Sequence, residues 1–100
     1  WCRLTVSSGT PTINDSFNVS SITDHNFGDF GYNFATNLSN ANYAAVSTSE
    51  VSSSNITTAQ LVTGGNLVAN VRFQYFRITT LAGGGAAVDP TACAMIACGD

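Results

Sequence analysis

The chain contains no lysine, and its only permanently charged cations are Arg3, Arg72 and Arg77. Set against six acidic side chains, they leave a formal net charge of −3. Such a surface repels phosphate backbones and offers no footprint for nucleic acid. Glutamate occurs once, at Glu50, and histidine once, at His25. A pair of catalytic carboxylates or a His-rich metal cluster is therefore hard to assemble. No apolar run approaches the ~20 residues that span a bilayer, so membrane insertion is not expected. No basic stretch leads into an apolar segment, so no secretory leader is visible.

Cysteine is scarce too. Cys2, Cys93 and Cys98 make an odd total with no Cys-x-x-Cys spacing, which favours buried or partly buried free thiols and assembly in a reducing cytosol. Cys93 and Cys98 lie an odd number of positions apart, so on one regular strand they point to opposite faces and cannot bridge. A catalytic thiol needs a base, and the sole imidazole sits in the turn-like Asp24-His25-Asn26. His25 with Asp24 and Asp29 has metal-donor chemistry, but the spacing fits neither a zinc site nor a calcium loop, and Asp and Asn there read as turn formers. The glycines 83–85 lack the Lys-Ser/Thr of a phosphate loop. No catalytic, cofactor-binding or metal-binding residue is expected, and no cofactor.

Ser, Thr and Asn take the place of charge, making up a third of the chain. Their short neutral groups serve turns and strand edges. The triplets at Asn14, Asn18, Asn37 and Asn55 match the N-glycosylation acceptor pattern, which arises from this composition by chance. Hydrophobic residues at 44%, ten of them aromatic, are enough for a core and exclude a disordered chain. One hundred residues make one domain with a small core, for which disulfides, a metal or neighbouring subunits would supply support.

The periodicity is that of strands. Phe30, Tyr32 and Phe34 alternate with Asp29, Gly31 and Asn33, placing three aromatics on one face. A second strand runs from Leu67 to Thr80, with Val71, Phe73 and Tyr75 on one face. Tyr75-Phe76 breaks that alternation, and burial on both faces is the favoured explanation over a bulge. Phe17 and Val19 share a face and Ile22 falls out of register, so Ser20-Ser21 carries a bulge or turn. Arg3–Ser7, Tyr43–Ser49, Thr58–Val62 and Thr91–Cys98 complete the set, and Ala82–Ala87 reads as a glycine loop. Seven or eight short strands joined by Asn- and Gly-rich turns predict an antiparallel β-sandwich.

Asp15-Ser16-Phe17-Asn18-Val19-Ser20-Ser21-Ile22-Thr23-Asp24, then Gly28-Asp29-Phe30-Gly31-Tyr32-Asn33-Phe34 and Asn40-Ala41-Asn42-Tyr43-Ala44, resemble a recurring segment of the C-terminal β domains of bacteriophage tail fibres and related virion appendages. Trp1-Cys2-Arg3 with Gly9-Thr10, and Met95 to Asp100, are similar to that family's opening and closing strands. The resemblance implies a non-catalytic virion structural protein on a host-facing appendage, a C-terminal module that forms homotrimers and contacts other virion proteins. It implies assembly in the host cytoplasm and attachment to a host-surface glycan or protein. The apolar strand from Cys93 to Cys98 is the candidate threefold interface. A capsid-mounted fibre, knob or decoration protein is the neighbouring alternative, and a secreted carbohydrate-binding module the alternative of another class. Tyr43, Phe27 and Tyr75 are candidates for stacking on sugars, against the simpler role of filling the core or a subunit interface.

Overall fold

The computed structural model describes residues 1–50, 56–78 and 85–99. Asn55, the Thr79-Thr80 strand end, the first half of the glycine loop and Asp100 lie outside them. Among the described residues nine strands are formed: β1 (Cys2–Ser7), β2 (Thr10–Ser16), β3 (Val19–Asn26), β4 (Asp29–Phe34), β5 (Ala44–Glu50), β6 (Ile56–Asn66), β7 (Asn70–Ile78), β8 (Gly85–Ala87) and β9 (Ala92–Cys98). Every strand pairing is antiparallel. Sheet A has the order β2-β1-β9-β5, and sheet B has the order β3-β4-β7-β6 with β8 added to β7. The two sheets form the expected sandwich, and β9 inserts between β1 and β5 as the last strand in sequence.

The aromatic alternation builds the interior. Phe30 and Tyr32 of β4 are fully buried beside Val71, Phe73 and Tyr75 of β7. Strand pairing brings the rings together: Tyr32 meets Phe73 edge-on at 6.3 Å and Phe30 meets Tyr75 at 5.8 Å, the tilted geometries that ring quadrupoles favour. Sheet A supplies Cys2, Leu4, Cys93 and Met95 to the same core.

Several sequence expectations need correction. β7 begins at Asn70, because Leu67 and Asn70 close a tight turn through reciprocal backbone bonds (2.9 and 3.3 Å), leaving Leu67 and Val68 exposed. The strand is regular across Tyr75-Phe76, with neither a bulge nor complete burial of both faces: Phe76 turns outward and is only half-covered. The bulge at Ser20 is present, but Phe17 does not share Val19's buried face. It sits where the chain crosses from sheet A to sheet B, next to Asn18 at φ 57°, and is 71% exposed. Asn18 holds that crossing by accepting from Thr36 N (2.7 Å) and donating to Thr36 O (2.9 Å), a local pairing that favours Asn in the left-handed region. β2 and β8 were not legible as strands. β2 lacks a sustained apolar alternation, and β8 carries only small side chains.

Gly28 fixes the junction of sheet B. Its carbonyl accepts from Tyr75 N (2.7 Å), its N–H donates to Asp89 Oδ1 (2.6 Å), and Val88 N donates to Tyr75 O (3.0 Å). The turn between β3 and β4 and the segment after β8 thus meet on one residue of β7. At φ +65°, a Cβ on Gly28 would strike the Val88 carbonyl and the Tyr75 carbonyl, so only glycine fits.

Candidate functional site

Three places concentrate chemistry-bearing groups. The first is inside the sandwich. Ser47 donates to Ala94 O (2.9 Å), so its single proton is spent and its Oγ must accept from Tyr75 OH (2.6 Å). Tyr75 then accepts from Tyr32 (2.7 Å), and Tyr32 accepts from the Cys93 thiol (3.1 Å). The result is a one-directional hydrogen-bond chain tying sheet B to sheet A with every hydroxyl satisfied. Burial pushes the Cys93 thiol and both phenols above their ordinary values, and pushes the Cys2 thiol up to about 11. Thiols held protonated this way are poor nucleophiles.

All three cysteines are free. Cys93 faces inward and Cys98 is exposed, the opposite orientation that the odd spacing predicts, although Cys98 is more open than the expected partly buried thiol.

The second place is a cleft of about 220 Å³ on the outer face of sheet B. Its lining residue His25 lies against Gly31, where a Cβ would come to 3.0 Å from His25 Nε2. The missing side chain is what lets the imidazole lie along the sheet. Asn33 stands beside it, donating to Ser21 Oγ (3.1 Å) and Thr23 Oγ1 (2.9 Å). The far wall is the excursion 62–65, where the β6–β7 register shifts between Leu61 and Asn66. Gly65 packs onto Arg72, with its Cβ position 3.3 Å from Arg72 Cβ.

Arg72 is anchored behind the cleft. Its Nε and Nη2 donate to Asp29 Oδ1 and Oδ2 at 2.7 and 2.6 Å, and Gln74 Nε2 donates to Oδ2 at 3.0 Å. These hydrogen bonds, Arg72's first, hold the Asp29 carboxyl below its ordinary 3.8 despite burial. Both Asp29 oxygens are consumed by this, so the residue is not free to join His25 as a metal ligand. Among the described residues no group of three or more His, Cys, Asp and Glu is placed to hold a metal ion. Asp29 and Glu50 do not converge either: Asp29 belongs to sheet B, and Glu50 ends β5 in sheet A beside Arg3.

The third place is an aromatic cleft of about 210 Å³ where the sandwich closes, walled by Trp1, Phe17 and Phe34 with Leu38 and Ala97. Trp1 and Phe17 are exposed, and Phe34 is braced edge-on against Tyr43 at 5.9 Å. Of the aromatics weighed for sugar stacking, Tyr75 is wholly buried and Tyr43 nearly so; only Phe27 is exposed. Tyr43 serves the fold instead. Its hydroxyl lies 3.0 Å from Leu67 O and 2.9 Å from Asn70 O, clasping the β6–β7 turn, and Asn40 Oδ1 caps the approach by accepting from Asn42 N (2.7 Å). The exposed Trp1–Phe17 pair was missed because Phe17 was assigned to a strand. The Asn18 turn beside it was the available signal.

No protein-family model matches the chain, and no curated protein or solved structure matches it.

Proposed function

We propose that this chain is a non-catalytic structural module of a virion appendage, of the tail-fibre type, that self-associates and presents a surface to the host. The observation that carries the reading is the outer face of sheet A. Val46 and Ile96 are direct cross-strand partners, 63% and 53% exposed, and Ala44, Ala94 and Cys98 extend their stripe along β5 and β9. An exposed apolar stripe of this kind, on a lysine-free face where the Arg3–Glu50 pair lies toward the other end of β5, buries well against copies of itself. It differs from the interface expected at first, in that the inward side of β9 is already spent on the core and only the outward side is left for a neighbour.

Low intrinsic charge and several weak contacts per assembly suit attachment by multivalency. The exposed Trp1–Phe17 cleft supplies stacking surfaces for a host glycan. A capsid-mounted fibre or decoration protein would use the same two surfaces. The secreted carbohydrate-binding module is favoured by the aromatic cleft alone and does not need the sheet A stripe.

Absolute mass by size-exclusion chromatography with light scattering separates these readings. A reductant-insensitive species near three times 10.4 kDa that falls to monomer in Val46→Glu and Ile96→Glu supports the appendage reading. A wild-type monomer removes self-association and shifts weight to the carbohydrate-binding module.

A further inference from the structure

We infer that the cleft on the outer face of sheet B is a binding site for a carboxylate borne on a sugar ring, with Arg72 and His25 receiving the carboxylate. The inference goes beyond the appendage reading: it concerns one face of one sheet and stands or falls whatever assembly carries the domain.

Charge is the first argument. The protein has three arginines and one histidine in an acidic chain, yet this single cleft is lined by Arg72 and His25 and by no Asp or Glu. The acid that Arg72 touches, Asp29, has its side chain covered and both oxygens engaged by Arg72 and Gln74. Its role is to hold the guanidinium in place. Arg72 spends Nε–H and one Nη2–H on Asp29, and the planar fork keeps further N–H donors. Its side chain remains about one-third exposed and lines the cleft. An arginine fixed on one edge is preorganised to bind a second carboxylate on the other, because little rotamer freedom remains to be lost.

Shape and the remaining polar groups give the second argument. A volume of about 220 Å³ lies below the ~300 Å³ at which drug-sized ligand pockets begin, so the occupant is about the size of one monosaccharide. Around Arg72 and His25 stand the neutral hydrogen-bonding groups of Thr23, Asn33, Thr63 and Asn70, which match ring hydroxyls. The side-chain amide N–H groups of Asn33 are already given to Ser21 and Thr23, which orients its carbonyl oxygen to accept from a ligand hydroxyl.

The test is a titration of the ¹⁵N-labelled chain at low salt with glucuronate, acetate and glucose, following backbone amides. Glucuronate is expected to saturate on the order of 1 mM, moving the amides of Thr23, Asn33, Gly64 and Asn70, and to bind at least tenfold tighter than acetate or glucose. Acetate equal to glucuronate overturns the sugar assignment, and glucose equal to glucuronate overturns the carboxylate. Shifts confined to other surfaces overturn the site. Arg72→Gln is expected to abolish saturation, but it also strips Asp29 of its partner. His25→Gln leaves the Asp29–Arg72 pair intact and is expected to weaken glucuronate about tenfold. An unchanged affinity in a folded His25→Gln variant removes the histidine from the site and overturns the inference as stated.

Discussion

The two outer faces of this sandwich each carry an Arg–carboxylate pair, and the pairs are not equivalent. On sheet B, Arg72 Nη2 sits 2.6 Å from Asp29 Oδ2, with the side chains 34% and 6% exposed. On sheet A, Arg3 Nη2 sits 3.9 Å from Glu50 Oε2, with the side chains 56% and 68% exposed. The first is bidentate, shielded and reinforced by Gln74. The second is a solvated contact between flexible side chains, a class whose worth is ~0–1 kcal/mol. Geometry and exposure decide what a charge pair contributes, and an arginine facing a carboxylate gives a fixed post behind a cleft on one face and almost nothing on the other.

Sheet B should accordingly be the less forgiving face, and its weakest point for substitution is Gly28. Gly28→Ala imposes a left-handed conformation costing ~1–2 kcal/mol and drives a methyl into the backbone carbonyls of Val88 and Tyr75, the latter the acceptor that ties Val88 to β7. A total loss on the order of 3 kcal/mol is expected by urea denaturation. A loss under ~1 kcal/mol would show that the β4–β7–β8 junction is not the tight node described.

Asp29→Ala comes next. It removes three hydrogen bonds, two of them from a guanidinium, and a loss of ~2 kcal/mol follows from the usual worth of bonds to charged groups. The Arg72 head can reach water, which keeps the figure below that of a fully buried broken pair. A melting temperature within a degree or two of wild type would place Asp29–Arg72 in the same class as Arg3–Glu50 and erase the contrast between the faces.

The fold was largely legible because its core follows a period of two. Phe30-Tyr32-Phe34 and Val71-Phe73-Tyr75 announced β4 and β7, and the structure buries all of them but Phe34, which packs partly covered at the edge of the core. The failures have physical causes. Phe17 was placed in a strand because hydrophobicity was read without the Asn18 turn that swings it out. The hydroxyl chain from Cys93 to Ala94 joins residues far apart in sequence, and no local pattern records which hydroxyls will face each other across a sandwich. The sheet B cleft was invisible for the same reason: His25 and Arg72 come from strands separated by β4 and meet only as linings of one cleft, where the missing side chain of Gly31 leaves room for the imidazole. Asp29 was weighed as a metal or catalytic carboxylate because it lies four residues after His25, and nothing local pointed to Arg72.

Acid titration sharpens the contrast. Asp29's folded value is lowered, chiefly by the Arg72 hydrogen bonds, so its contribution to stability is fully present above the unfolded value of ~3.9 and is lost as pH falls through the lower folded value. The wild-type urea midpoint should carry a decline below about pH 4 that Asp29→Asn lacks. Parallel acid limbs in the two proteins would show that the carboxylate gains nothing from its three donors.

Glu50→Gln is the smallest expected effect and completes the comparison. The substitution keeps size and hydrogen-bonding capacity and removes only the charge facing Arg3. At 3.9 Å with both side chains mostly in water, Coulomb attraction is screened and ordering the two long side chains opposes it. A change of no more than ~0.5 kcal/mol is expected, shrinking further in high salt. Combining it with Arg3→Gln should give a coupling energy near zero, whereas the corresponding cycle at Asp29 and Arg72 should show clear coupling. If the sheet A pair couples as strongly as the sheet B pair, exposure is not what separates them, and a neighbouring subunit covering Arg3 and Glu50 becomes the physical explanation. That result would itself favour self-association through this face, since a second chain over the β9–β5 surface is the simplest way to exclude water from that contact.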